Sequence, residues 1–190
     1  MKLRDYQASF DLLLRDTEVL LEYVEPTDQN GSTYSHRLYG LLLRACTDFE
    51  SLAKDLLLAG NYPKSPTDMN ISDYKTLETQ LRVDPVVVDF QLWQPKPLRV
   101  LPFKGWSVGK PPLPWYDAYN NVKHNRQAEF ARANLKVFLE ALAGQFVLIA
   151  RVSKYHWGDT CWAGTLGGGT LEFGREPFRM QWKEKDSPWP

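Results

Sequence analysis

Two long stretches of this chain repeat apolar residues at three- and four-residue steps, a period that restricts them to helices with one buried face. In the first, Leu3, Tyr6, Phe10, Leu13, Leu14, Leu20, Leu21 and Val24 share that face. Glu25-Pro26 stops it, because the residue before a proline is pushed out of helical geometry, and the following Asp28 to Gly31 reads as a loop. A helix is predicted from about Leu3 to Val24. In the second stretch, Tyr34, Leu38, Leu41, Leu42, Ala45, Phe49, Leu52 and Leu56 form the apolar face. Ser32 or Thr33 is the expected N-cap, and Gly60 followed by Pro63 the expected stop. The two helices are expected to pack as an antiparallel pair.

A third helical region starts at Pro114-Trp115, where proline suits a first helical position. Trp115, Ala118, Tyr119 and Val122 share a face, and beyond Asn125 another face runs through Leu135, Phe138, Leu139, Leu142, Phe146 and Ile149. The pattern leaves open whether this is one long helix or two meeting near Asn125. Residues 61–114 differ: they are rich in proline, with a short helix expected within Asp68 to Arg82 and extended chain or a small hairpin within Val83 to Leu101. They read as an insertion that covers a site. From 156 to 190 the period changes to two, with Leu171 and Phe173, then Phe178, Met180 and Trp182, on either side of Gly174 to Pro177, which fits a β-hairpin appendage. The expectation is a mainly α fold: one domain over 1–190, a bundle of four to five helices with a proline-rich insertion and a small C-terminal hairpin.

Composition narrows the functional classes. At 190 residues, 43% hydrophobic and 24% charged, the chain is the size of one domain with a real core. Basic and acidic residues number 23 each, so a nucleic-acid role needs a local basic patch. The N-terminus lacks the apolar core of a signal peptide, and the most apolar window, Leu135 to Val152, is broken by Lys136, Glu140, Gln145 and Arg151. No membrane association is expected. The two cysteines, Cys46 and Cys161, form neither a CxxC pair nor a disulfide framework and are expected to be reduced thiols of a cytoplasmic protein. Three separated histidines argue against a transition-metal site, and no cofactor is expected.

The segment from Trp115 to Arg126, WYDAYNNVKHNR, carries the strongest chemical signal. On a helix, Asn120 and His124 fall four apart, while Tyr119, Lys123 and Arg126 follow at steps of four and three, making two adjacent polar stripes beside Asn121. Histidine moves protons near neutral pH, lysine and arginine hold an anion or its transition state, and asparagine orients substrate or base. That inventory suits phosphate-directed chemistry, including metal-free attack by a ribose 2′-hydroxyl on its own phosphate. Solvated polar groups at a helix end explain the same spacing. Glu50 and Lys54, one turn apart, stand on a stripe with His36 and Thr47 that faces a cleft or forms a surface ion pair. Neither glycine run, at 105–110 or at 167–169, has a lysine at the spacing of a P-loop.

Taken together, these residues resemble the HEPN superfamily, small helical bundles of bacterial toxin–antitoxin and defence systems. The likeness lies in a long helix bearing Glu50-x-x-x-Lys54, a later helix pairing Asn120 with His124, and an apolar helix after it, over about 32–154 without the insertion. In active members an arginine shortly before the histidine works with it in metal-independent RNA cleavage, usually across a homodimer. Here that position falls at Asp117 to Tyr119 and no arginine precedes His124 within reach, so Lys123 or Arg126 would have to supply the cation. The resemblance implies an endoribonuclease with catalytic His124, Asn120, Lys123 and Arg126, supported by Glu50, Lys54, Tyr119 and Asn121. It also implies RNA as substrate, a homodimer and an antitoxin or other protein partner. The alternative is a non-catalytic helical module that binds a protein partner or a nucleotide-like ligand, with the tryptophans at 93, 106, 115, 157, 162, 182 and 189 as a contact surface or as core. A third possibility, an enzyme on a small nucleotide, needs an enclosed pocket with 61–114 as its lid.

Overall fold

The computed structural model describes residues 3–109, 113–157, 164–166, 170–173 and 180–184, with side chains up to residue 152. Helix α1 spans Leu3–Leu21 and α2 His36–Ala59. Two short helices follow, α3 (Ile71–Tyr74) and α4 (Leu77–Leu81), then strands β1 (Val86–Phe90) and β2 (Leu98–Val100). Helix α5 (Pro114–His124) leads through α6 (Arg126–Glu129) and a 3-10 turn (Phe130–Arg132) into α7 (Leu135–Trp157). Strands β3 (Gly164–Leu166), β4 (Thr170–Phe173) and β5 (Met180–Glu184) come last. The architecture is mainly helical, as the periodicity predicts.

Helix α7 is the centre. Every residue from 141 to 150 is buried, so its apolar character extends around the helix, and α1, α2, α4 and α5 all pack on it. Gly144 makes room for α5: a Cβ there would stand 2.9 Å from the Trp115 ring. No described helix is long and apolar enough to cross a membrane.

The cap of α2 is Ser35, whose hydroxyl accepts from the Leu38 amide at 3.1 Å, in place of Ser32 or Thr33. The reason is tertiary. The amides of Leu135 and Lys136 donate to the carbonyls of Thr33 and Gly31, and Tyr34 bridges to Asn134, so this segment is drawn out as a brace for the start of α7. Neither expectation at Asn125 holds as stated: its φ of −138° and ψ of 61° end α5 there, and α6 and the 3-10 turn stand between α5 and α7.

The described part of the proline-rich region is built into the core. Tyr74, Leu77, Leu81, Val83, Val86, Phe90, Trp93, Phe103 and Trp106 join one continuous core with the helices. Trp115 donates its indole N–H to the Pro102 carbonyl at 2.8 Å, and the Phe49 ring meets Tyr74, Phe103, Trp115 and Tyr116. Trp93, Trp106 and Trp115 are therefore core and not a contact surface; the side chains of the other four tryptophans lie outside the described residues. Strands β1 and β2 pair antiparallel, with Val88 opposite Val100. Strand β5 pairs with both β4 and β1, giving the order β2-β1-β5-β4-β3. Leu171 stands opposite Trp182 and Phe173 opposite Met180; the expected turn at 174–177 lies outside the described residues.

Candidate functional site

Helix α5 starts with proline at its first turn and ends in the basic pair Lys123 and His124, which suits the negative end of the helix dipole. It runs against α2 in the opposite sense, so positions ascending in α5 meet positions descending in α2. Tyr116 meets Glu50, Tyr119 meets Thr47, and beyond the break at Asn125, Arg126 meets His36. The polar stripe on α2 thus faces the polar stripe on α5 and its continuation.

The inner part of this seam is buried. The Tyr116 hydroxyl donates to Glu50 Oε1 at 2.5 Å. Burial first, then this bond to a carboxylate, pushes the Tyr116 phenol far above its ordinary range, so it stays protonated. Glu50 turns to Tyr116 and away from Lys54, and no ion pair among the described residues joins Glu50 to Lys54. One turn along, Lys123 Nζ donates to the Tyr119 hydroxyl at 3.0 Å and lies 4.9 Å from the centre of that ring. Tyr119 is pushed up by burial, against the opposing effect of Lys123, while the bond to Tyr119 raises Lys123, which is a fixed cation. Cys46, fully buried beside them, has its thiol pushed well up by burial and is no nucleophile.

The outer part is exposed. Arg126 Nη2 lies 2.8 Å from His36 Nδ1. A guanidinium only donates, so Nδ1 is the acceptor and the ring proton of His36 sits on Nε2. The guanidinium carbon stands 4.8 Å from the centre of the Tyr39 ring and 5.4 Å from that of Phe130. Phe130 in turn touches His36 at 4.9 Å and meets Tyr34 edge-on at 5.7 Å. His124 is exposed at the end of α5, two residues before Arg126, with half-buried Asn120 one turn earlier.

Of the residues singled out in the sequence, Glu50 and Tyr119 therefore share the inner seam, exposed Lys123 stands at its edge on Tyr119, and Arg126 is held further out. No described hydrogen bond or ion pair joins Asn120 or His124 to Glu50, Lys54, Lys123 or Arg126. Asn121 faces elsewhere, donating to the backbone and carboxylate of Asp117 at 2.8 and 3.1 Å. Lys54 is half-buried on α2.

Charge balance separates the cations. Arg132, close by, is neutralised by Asp117 at 2.9 Å and by Glu129 at 2.7 Å. Lys123 and Arg126 rest instead on a hydroxyl, an imidazole and aromatic faces, with no ion pair to a carboxylate among the described residues. Their positive charge is left to attract an anion from solution. Sequence reasoning missed His36 as the partner of Arg126 and gave Tyr116 and Phe130 no site role, and Tyr34, expected on the buried face of α2, stands before that helix and is exposed. The one local signal was the four-residue step from Arg126 to Phe130, which on a helical surface sets a cation beside a ring. Among the described residues no group of three or more His, Cys, Asp or Glu is placed to hold a metal ion. Searches of protein-family models, of curated proteins and of solved structures return no match to this chain, so its own geometry carries the functional reading.

Proposed function

We propose that the chain is a HEPN-like domain that cleaves RNA without a metal at the outer end of the α2–α5 seam. The observation that carries this reading is the pair of cations on either side of His124, Lys123 and Arg126, neither paired with a carboxylate among the described residues. His124 takes the proton from a ribose 2′-hydroxyl as that oxygen attacks the adjacent phosphorus. The P–O5′ bond breaks, a 2′,3′-cyclic phosphate forms, and the departing 5′-oxygen takes a proton from water. Lys123 and Arg126 hold the charge that accumulates on the phosphoryl oxygens, Arg126 with a planar fork kept in place by His36 and two rings. Asn120 orients the histidine from one turn away, and Glu50, Tyr119 and Lys54 form the supporting wall. The same reading carries a homodimer and a toxin or defence setting with an antitoxin partner.

The test is cleavage of a single-stranded RNA in EDTA by the wild type and by His124→Ala. Cleavage that ends in a 2′,3′-cyclic phosphate and is lost in the variant is expected. No cleavage by the wild type, or equal cleavage by both, would overturn the reading.

One observation favours the second reading, a non-catalytic module that binds a protein partner or a nucleotide-like ligand. Glu50, Lys123 and Arg126 are each already engaged by the chain's own side chains. Recovery of a stoichiometric protein partner from cells, by a chain with no cleavage activity in the EDTA assay, is the outcome expected of it.

A further inference from the structure

We infer that Tyr34, with Phe130 and the Arg126 guanidinium behind it, is a stacking ledge for an unpaired nucleobase, next to the phosphate-binding cations; this rests on the RNA reading above. Tyr34 is 53% exposed, yet its backbone is tied to the start of α7. It bridges Asn134, and the neighbouring carbonyls of Thr33 and Gly31 accept from the first amides of α7. Asn134 in turn caps α7, accepting from the Val137 amide at 3.1 Å. An exposed aromatic ring on a braced backbone offers a flat face without further ordering on binding.

Behind that face the chemistry is graded. Tyr34 and Phe130 stand at right angles, at 5.7 Å and 86°, so this neighbour covers at most one face of Tyr34, which stays 53% exposed. Phe130 also touches His36 and lies beside the Arg126 guanidinium, at 4.9 and 5.4 Å. A nucleotide whose base stacks on Tyr34 brings its own negatively charged phosphate toward that arginine. Every base has a π-face, so such a ledge recognises single-stranded RNA with little sequence preference, and a duplex, whose bases are already stacked, is excluded. An acidic peptide would use the cations and ignore the ring, which makes the ring the diagnostic feature.

The experiment is fluorescence anisotropy with the full chain and three 5′-labelled probes, each a 12-mer of 2′-fluoro nucleotides and so lacking the hydroxyl that cleavage needs. One is oligoadenylate, the second the same backbone without bases, the third a duplex. The wild type is expected to bind oligoadenylate best. Tyr34→Ala should weaken that binding about tenfold and leave the base-free probe unchanged, while Tyr34→Trp restores it. Arg126→Ala should weaken both single-stranded probes. Equal affinity of wild type and Tyr34→Ala for oligoadenylate, equal affinity of the wild type for all three probes, or binding to none of them would overturn the ledge. Thermal melting of each variant separates lost stacking from lost folding: Tyr34→Ala melting with the wild type is expected, and restored binding in Tyr34→Trp holds even where Tyr34→Ala is destabilised. The EDTA cleavage assay keeps the two readings apart. Tyr34-dependent binding without cleavage sinks the ribonuclease and leaves the ledge, and cleavage that is unaffected by Tyr34→Ala does the reverse.

Discussion

The α2–α5 seam is built from the same residue types at both ends, aromatic rings with a charged group against each, yet the two ends differ in what surrounds them. At the inner end Glu50, Tyr116 and Tyr119 sit against buried Phe49, Trp115 and Tyr74 with their polar groups bonded inside the protein, and exposed Lys123 leads out from Tyr119 toward the outer end. At the outer end Arg126, His36 and Tyr34 face solvent, and the arginine is held by neutral groups only. A polar cluster with its bonds closed inside the core contributes shape and stability. A cation held in place but not neutralised keeps its charge for a ligand. The contrast predicts that substitutions inside damage folding, and substitutions outside damage binding or cleavage.

The largest effect on stability is expected from Phe49→Ala, which empties a site enclosed by four aromatic rings and should cost about 3–5 kcal/mol in denaturant unfolding. A loss under about 1 kcal/mol would mean that the inner end is not the packed region described. Next comes Tyr116→Phe, which keeps the ring and removes the donor from half-buried Glu50, at about 1–3 kcal/mol in the same assay. If Glu50→Gln recovers part of that loss in the double variant, the cost lies in the unpartnered carboxylate, as the geometry requires.

A smaller, pH-dependent effect is expected at Asp73, which braces the inner end through neighbouring Tyr74. Its carboxylate accepts from Lys64 at 2.8 Å, Tyr62 at 2.9 Å and the Asn70 amide at 2.7 Å, and the bond from Lys64 first of all holds it below its ordinary value of 3.8. A lowered carboxylate stabilises the fold at all pH above its unfolded value, and the contribution disappears as pH falls through the lowered one. Asp73→Asn should therefore unfold more readily than the wild type at pH 7, with the gap closing below about pH 4. A gap that widens on acidification would reverse the sign and break the account of this brace.

The smallest stability effect belongs to the outer end. Arg126→Ala is expected to stay within about 1 kcal/mol of the wild type, the ordinary range for an exposed side chain, while RNA binding falls. Were it instead to unfold the protein as Tyr116→Phe does, the outer cluster would be a structural staple and the contrast between the two ends would vanish.

The legible parts of this molecule are those determined by local pattern. Apolar spacing locates α1, α2, α5 and α7, Gly60 ends α2, and Pro114 begins α5. What escapes is what partners distant in the chain decide. Ser35 caps α2 because α7 claims the carbonyls of Thr33 and Gly31. Glu50 leaves the helical pairing its spacing suggests because Tyr116, 66 residues away, brings a hydroxyl to it. The prolines at 61–114 read as an insertion, but the aromatic residues among them, Trp93, Phe103 and Trp106, are large enough to be needed in the core. Arg126 was visible as a cation near His124, while its partner His36 lies 90 positions earlier and only the antiparallel course of α5 along α2 brings the two together.

The central claim is that the two ends of one seam divide folding from function, and the most direct test reads both properties on one variant from each end. Denaturant unfolding and cleavage of single-stranded RNA in EDTA are measured for His124→Ala and Tyr116→Phe beside the wild type. The account predicts that His124→Ala keeps its stability within about 1 kcal/mol and loses cleavage, while Tyr116→Phe loses stability and, wherever it remains folded, still cleaves. A wild type that leaves RNA intact, or a His124→Ala variant that cleaves as well as the wild type, would contradict it.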